Sequence, residues 1–352
     1  MIKSRLKEAA IAVCYRTGVT RRAIRLGDFF EFSRSSCFVN VTQRANQKFL
    51  ILIYHRVSDS GNPFMIEKIP PPLFDLQMEY LAKHFNVLRM EEIIDHLQSG
   101  KSLPKRCVAI TFDDGYKDNY RNAFPVLRKY NLPATIFLTG GCIDTGKSLW
   151  FDSVLYAFEH TSRNSLCLSG GNVHFVFNTP LERSEAAFQM LYRLKAYPPS
   201  ARWREIEAIF SELRLKIPKD MDNQLLDWCE VKEMADLNIS FGSHTMTHEI
   251  LTTIKLEEAE RELTESKKLI ESQIHRRVRV FAYPNGGRSD YSAEVIDLIR
   301  KSGYEAAVTT IPGSNSGQQD PFQLKRIRPW RYDVGSFAAI MGYYYLRSSQ
   351  EL

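Results

Sequence analysis

The chain has 352 residues, yet no apolar run approaches the roughly 18 that a membrane-spanning helix requires. The longest candidates are Phe49–Tyr54 and Phe337–Leu346. No C-x-x-C pair occurs, and the six cysteines (14, 37, 107, 142, 167, 229) are scattered. This argues against a thiolate zinc site, a dithiol redox motif or a disulfide framework, so a reducing compartment is expected. Cys107, Cys142 and Cys167 lie in apolar stretches and read as small buried hydrophobes. The opening MIKSRLKEAAIAVCYRTG has neither a sustained apolar core nor a small-residue cleavage site. No secretory leader is therefore expected, and a cytoplasmic protein is. Internal repeats and low-complexity tracts are absent too, and 44% hydrophobic with 25% charged residues excludes a disordered or fibrous chain.

Charge is unevenly placed. Residues 1–48 hold ten lysines and arginines against three acids, so this segment carries +7 of a total of +6 and leaves −1 for the rest. Ile2, Leu6, Ala9, Ala10 and Val13 recur at helical spacing, with Lys3, Lys7 and Arg16 off that stripe. Two readings of this basic arm stand open. It docks on the main domain with a solvated basic face, or it lies on an anionic membrane surface, at the inner face of the membrane. No nucleic-acid partner is expected, because the body is near neutral and shows no recognition motif.

From residue 49 apolar strands alternate with helices. Strands are expected at 49–57, 86–89, 107–115, 133–140, 239–244, 278–284, 304–310 and 323–330. Helices are expected at about 73–85, 90–98, 119–130, 255–273, 290–302 and 336–347. Pro125 must kink the helix over 119–130 or mark its true start. Such alternation predicts a parallel sheet, and seven or eight strands suit a barrel, with chemistry at the C-terminal strand ends. Residues 145–237 break the rhythm. They read as an insertion of helices (Trp150–His160, Leu181–Ala196, Arg202–Leu213, Leu225–Ala235) with one strand-like piece at 173–177, placed at the mouth of the site as a lid or a substrate wall. The division is thus an arm over 1–48 and a barrel over 49–352 that carries the insertion.

Three segments put polar groups at strand ends. In Thr111-Phe112-Asp113-Asp114-Gly115, two acids follow a buried run, which is costly unless they are paired. A metal ion on one resolves the cost and leaves the other to act as a base; the alternative is a surface turn. In Ser243-His244-Thr245-Met246-Thr247-His248, histidines at i and i+4 can share one face of a helical turn and suit imidazole coordination. Alone the spacing fits two solvated histidines as well, and the apolar strand end Ile239-Ser240-Phe241 before it favours the site. Asp114, His244 and His248 would supply three ligands and leave an open position, the pattern of a catalytic zinc, although other divalent ions accept the same set. In Phe281-Ala282-Tyr283-Pro284-Asn285-Gly286-Gly287, backbone N–H groups can face a developing oxyanion, or the loop is an ordinary Asn-Gly turn.

Taken in order, T-F-D-D-G, S-H-T-x-x-H and F-A-Y-P-x-G resemble the polysaccharide deacetylases of carbohydrate esterase family four, over roughly residues 49–335. Tyr-His near the first strand and F-A-Y-P later are most similar to the subgroup that acts on N-acetylhexosamine polymers in exopolysaccharide pathways. The resemblance implies a distorted (β/α)7 barrel. It implies Asp113 as general base and Asp114, His244 and His248 as ligands to one zinc or similar divalent ion. The implied reaction is hydrolysis of an N-acetyl group on an amino-sugar glycan, releasing acetate. The backbone N–H of Asn285 would help hold the oxyanion.

The chain departs from the family pattern in two places. The usual arginine of the third motif is replaced by Ala282. Arg326 or Arg328 is expected to substitute, since alternation puts Arg326, Arg328 and Trp330 on one face. The usual late Leu-x-x-His is absent, and His55, at the end of the first strand, is the expected acid; a rim histidine with no proton-transfer role is the alternative. Tyr116, Trp150, Tyr283 and Trp330 are candidates for stacking on sugar. Two further functional readings stay open: a deacylase of a lipid-linked or small N-acyl sugar, and an inactive barrel that only binds glycan.

Overall fold

Phe49–Tyr54 buries all six of its residues, so neither face of this strand meets water. The computed structural model describes residues 48–346 apart from 60, 66, 169–172, 219–223 and 330–332. The expectations for the basic arm, its helical stripe and its membrane contact, and for Trp330, lie outside the described residues.

The strands are β1 (Phe49–Tyr54), β2 (Arg56–Val57), β3 (Lys68–Ile69), β4 (Asn86–Val87), β5 (Cys107–Phe112), β6 (Ala134–Leu138), β7 (Ser165–Leu168), β8 (Val173–Val176), β9 (Ile239–Ser243), β10 (Val280–Ala282) and β11 (Ala306–Val308). A parallel seven-stranded sheet runs in the order β1-β5-β6-β9-β10-β11, with β4 beside the start of β5. The expected eighth strand over 323–330 is not a strand. It makes single parallel bridges from Leu324 to Val308 and from Ile327 to Leu52, and so forms an irregular seam between β11 and β1 that curls the sheet into a distorted (β/α)7 barrel.

The helices are α1 (Pro71–His84), α2 (Met90–Ser99), α3 (Phe124–Lys129), α4 (Trp150–His160), α5 (Pro180–Leu194), α6 (Pro199–Glu212), α7 (Trp228–Asp236), α8 (Leu256–Ile274), α9 (Ala293–Lys301) and α10 (Val334–Leu346). α1 begins on the proline run at 70–72, where a missing N–H costs nothing. Pro125 sits in the first turn of α3, so it marks a start, and Asn119–Ala123, just before that helix, form a π-helical turn. No helix among the described residues is long and apolar enough to cross a membrane.

Strand alternation sorts side chains into two layers. Phe49, Ile51, Cys107, Ala109, Val280, Ala282 and Leu324 pack inside the barrel over Met90, Ile93 and Ile94 of α2. Leu50, Leu52, Val108, Ile110, Phe281 and Tyr283 pack outward against the helices. The inward set, continued past the strand ends, reaches His55, Asp113, His244 and Arg326.

Residues 149–213 build a core of their own. Trp150, Val154 and Phe158 of α4, Met190 and Leu194 of α5, Ile206 and Phe210 of α6, and Leu166 and Phe177 form one cluster. The strand-like piece at 173–177 is one arm of an antiparallel hairpin with Ser165–Leu168, which the alternation of so short a segment did not reveal. Cys107 and Cys142 are buried as expected, but Cys167 is exposed, because it occupies the solvent face of that hairpin. α7, which closes the segment, packs Val231 and Met234 into the barrel core.

One fully buried residue fastens the helical segment to the barrel. Arg202 of α6 donates to Glu249 Oε2 at 2.6 Å, to Leu194 O at 3.2 Å and to Tyr197 O at 2.8 Å. Its guanidinium also lies over the Trp150 ring at 4.5 Å. Arg202→Met leaves Glu249, itself buried, without its counter-charge. Breaking one half of such a pair costs about 3–5 kcal/mol. Urea unfolding is expected to show a loss of that size, most of it recovered in Arg202→Met/Glu249→Gln; equal stability of wild type and single variant contradicts this account.

Candidate active site

At the C-terminal end of β5 the chain turns sharply. Asp114 and Gly115 take left-handed backbone angles (φ 75 and 81°), and a Cβ on Gly115 would stand 2.8 Å from the Leu138 side chain. This turn lets neighbouring carboxylates meet different partners. Asp113 is fully buried, and both its oxygens accept from Arg326, Oδ1 from Nη1 and Oδ2 from Nη2, each at 2.7 Å. Arg326 is fully buried as well and donates its Nε–H to Thr309 O at 2.7 Å. Burial pushes the Asp113 pKa up, but the Arg326 charge and its paired hydrogen bonds outweigh that and leave it below the usual carboxylate value. Of the two arginines considered, Arg326 thus takes the place of the one that Ala282 lacks. Ala282 contributes its carbonyl instead, which accepts from His244 Nδ1 at 2.7 Å.

That bond fixes the His244 tautomer and leaves Nε2 as a free donor atom for a metal. His244 Nε2 and His248 Nε2 each lie 3.4 Å from Asp114 Oδ1. These separations are long for hydrogen bonds, and Asp114 Oδ1 is a buried oxygen with no hydrogen-bond partner among the described residues. Donor atoms held at 2.0–2.2 Å from a tetrahedral ion stand about 3.4 Å apart. The three residues therefore form a group that fits a metal ion. Burial pushes the Asp114 pKa up, but the two histidines facing it outweigh that and hold it well below the ordinary carboxylate range. Burial also lowers the His248 pKa, which favours the neutral imidazole that coordination needs.

The two histidines do not share a helical turn, as their spacing suggested. Residues 244–250 form a loop in which Thr245 and His248 are left-handed (φ 67 and 60°). Its backbone bonds go elsewhere: the Glu262 carboxylate accepts from the N–H groups of Met246 and Thr247, and the N–H groups of Gly140 and Gly141 donate to Thr245 O and Met246 O. Phe151 of α4 meets the His248 ring edge-to-face at 4.9 Å.

His55 Nε2 lies 4.0 Å from Asp113 Oδ2, and its Nδ1 is 2.8 Å from Glu67 Oε2. Glu67 carries no motif and sequence reasoning missed it; the short β2–β3 pairing brings it back beside His55. Burial works against the imidazolium, but Glu67 as charge and hydrogen-bond partner, with Asp114 and Asp113, outweighs it and raises the His55 pKa to about 9. Burial likewise opposes the Glu67 carboxylate, and His55 overrides it, holding the group at about 2.

These groups line one cavity of about 410 Å³ together with Tyr116, Asn285, Asp290, Thr310, Arg328 and, from the helical segment, Trp150, Phe151, Phe188, Leu191, Tyr192 and Lys195. The segment therefore forms a wall of the cavity. Asn285 is left-handed (φ 59°), and its N–H donates to no acceptor among the described residues. Tyr283 is a correction. It sits on the helix-facing side of β10, fully buried, stacked on Tyr291 at 4.5 Å with its hydroxyl donating to Phe322 O at 3.0 Å. It does not line the cavity, because strand alternation turns it outward.

With this geometry in view, residues 100–307 match the family model described as polysaccharide deacetylase. The chain belongs to that family. It is a carbohydrate deacetylase, a hydrolase. Among curated relatives, the "Putative polysaccharide deacetylase YxkH" of Bacillus subtilis is 28% identical over 282 residues, covering 80% of this chain and 71% of that protein. The poly-β-1,6-N-acetyl-D-glucosamine N-deacetylase of Staphylococcus epidermidis is 47% identical over 102 residues, 25% of this chain and 35% of that protein. The fold of this deacetylase is similar to that of Streptococcus pyogenes deacetylase PplD, solved with acetate, at a TM-score of 0.55 and 21% identity over 80% of this chain and 91% of that one.

The His55–Glu67 pair gives the deacetylase a directional pH response. His55 is raised from 6.5 to about 9, so its share of folding stability is complete below pH 6.5 and lost as pH rises through 9. Glu67 is lowered from 4.5 to about 2, so the same interaction is complete above pH 4.5 and lost as pH falls through 2. In Glu67→Gln the His55 imidazole is expected to titrate at clearly lower pH, followed by NMR of its ring protons. An unchanged midpoint rules out Glu67 as the cause.

Proposed function

We propose that this protein hydrolyses the N-acetyl group of an amino sugar within a glycan, giving acetate and a free amine, and that it uses a divalent ion, zinc by its donor set, held by Asp114, His244 and His248. The observation that carries the reading is the placement of Asp113. Its carboxylate is kept ionised by a buried bidentate arginine, beside the metal-fitting triad, with His55 4.0 Å away. A divalent ion at that position supplies Lewis-acid polarisation of the acetamide carbonyl and lowers the pKa of water.

The chain's own groups then divide the proton work. Asp113 takes the proton of the attacking water, and Arg326 fixes the direction of its lone pairs. The Asn285 N–H, on its left-handed loop, faces the oxygen that gains charge. Gly286 makes that loop possible: its φ is 66°, and a Cβ there would press to 2.8 Å from the Thr310 nitrogen. His55, protonated through Glu67, gives its proton to the departing amine nitrogen, so the C–N bond breaks to a neutral amine. Tyr116 and Trp150 line the cavity where a sugar ring would sit.

The N-acetyl specificity draws support from the named activity of the staphylococcal relative, whose match covers a quarter of this chain. In Asp113→Asn, acetate release from N-acetylglucosamine oligomers is expected to fall at least 100-fold while one metal per chain remains by elemental analysis. His55→Ala is expected to lose about 100-fold in kcat; a loss below threefold removes it as the acid. Chelation should abolish acetate release and zinc should restore it. Full activity of the metal-free protein contradicts the proposed cofactor.

A further inference from the structure

Two cations line the cavity without a part in the proposed chemistry. The four acids of the cavity are each engaged. Asp113 is paired with Arg326, Glu67 with His55 at 2.8 Å, Asp114 faces the two histidines, and Asp290 accepts from the Gly287 N–H at 2.7 Å. The two cations, Lys195 and Arg328, make no hydrogen bond or ion pair among the described residues, and Arg328 Nε is a buried atom with no partner among them. Both line the one cavity, in the field of Glu67 and Asp290, yet neither forms an ion pair with those acids among the described residues. A cation that lines a cavity without a hydrogen bond or ion pair is available to an anionic ligand group. Trp150 adds to the pattern: it is almost fully buried, lines the same cavity, and its indole N–H also lacks an acceptor among the described residues.

The approach to the two cations is shaped for a chain of sugars. Phe188 and Tyr192 are one helical turn apart on α5, both exposed at the cavity, with Tyr192 82% exposed. Lys195 follows three residues later on the same side, just past the helix end. A sugar stacked on these rings would carry its substituents toward Lys195 and Arg328.

We propose that the glycan processed here is acidic: a carboxylate or phosphate group beside the N-acetylated sugar binds between Lys195 and Arg328. This rests on the deacetylase reading above and names the class of its substrate. Both cations come from parts of the chain that the chemistry itself leaves free, Lys195 from the helical segment and Arg328 two residues past the base-holding Arg326.

The test measures acetate release by the metal-loaded protein from three tetrasaccharides. One is N-acetylglucosamine alone, one alternates N-acetylglucosamine with glucuronate, and one carries a 6-phosphate on a neighbouring sugar. At least one acidic oligomer is expected to show a kcat/KM ten or more times that of the neutral one, falling as salt is raised. Which of the two gains identifies the anion. In Lys195→Gln/Arg328→Gln, with metal content checked and equal to wild type, the ratio is expected to collapse to about twofold or less, and Lys195→Arg/Arg328→Lys should keep most of it. Equal kcat/KM for neutral and acidic oligomers overturns the proposal and leaves the deacetylase reading standing, as does a preference that survives in the double glutamine variant. Acetate release from none of the three, with metal bound, overturns the proposal together with the reading beneath it.

Discussion

Two adjacent carboxylates end a strand that has no solvent on either face, and the surrounding architecture answers that constraint. Neither Asp113 nor Asp114 can stay ionised at such depth without a partner of its own. The left-handed turn at Asp114 separates them, so one meets a guanidinium and the other a pair of imidazoles. One acid is thereby held as a charged acceptor with fixed lone pairs, and the other joins two imidazoles in a group that fits a metal ion. The irregular seam after β11 exists at the place where Arg326 must enter the barrel, and the loop after β9 is bent so that both histidines face Asp114.

Much of this was legible in the residues because strand alternation is strict. His55, Asp113, His244 and Arg326 all fall on the inward parity of their strands, and the same parity turns Tyr283 away. The acids and histidines were visible because buried charge after an apolar run has few innocent explanations. What stayed hidden depends on backbone geometry that no local pattern encodes. Glu67, Asp114, Thr245, His248 and Asn285 all have positive φ, and non-glycine residues accept that cost only where the surroundings enforce it. Glu67 sits in a loop with no motif, so its tie to His55 appears only once β2 and β3 pair. The segment over 323–330 alternates like a strand but pairs at isolated bridges, because it serves the site more than the sheet.

The helical segment shows how substrate choice can be separated from chemistry. It supplies cavity walls from Trp150 to Lys195 but none of the residues proposed as base, acid or ligands. Its link to the chemistry runs through Phe151, packed on the His248 ring, and through Arg202, which holds the residue after His248. A wall attached in this way can vary in its exposed residues while these two anchors keep the ligand loop in place.

The Asp113–Arg326 pair also sets an order in time. The two residues lie 213 positions apart. At synthesis rates of 5–20 residues per second, the carboxylate waits about 10–40 s for its guanidinium. Until then β1 has no neighbour along the seam, nor has β11 once it is made, and the sheet stays open with bare edges. A chain stopped between residues 249 and 325 holds Asp113, Asp114, His244 and His248, yet lacks both the guanidinium that pairs with Asp113 and the segment that closes the wall behind it. Hydrolytic competence therefore waits for the seam that carries Arg326, and arrives with it all at once.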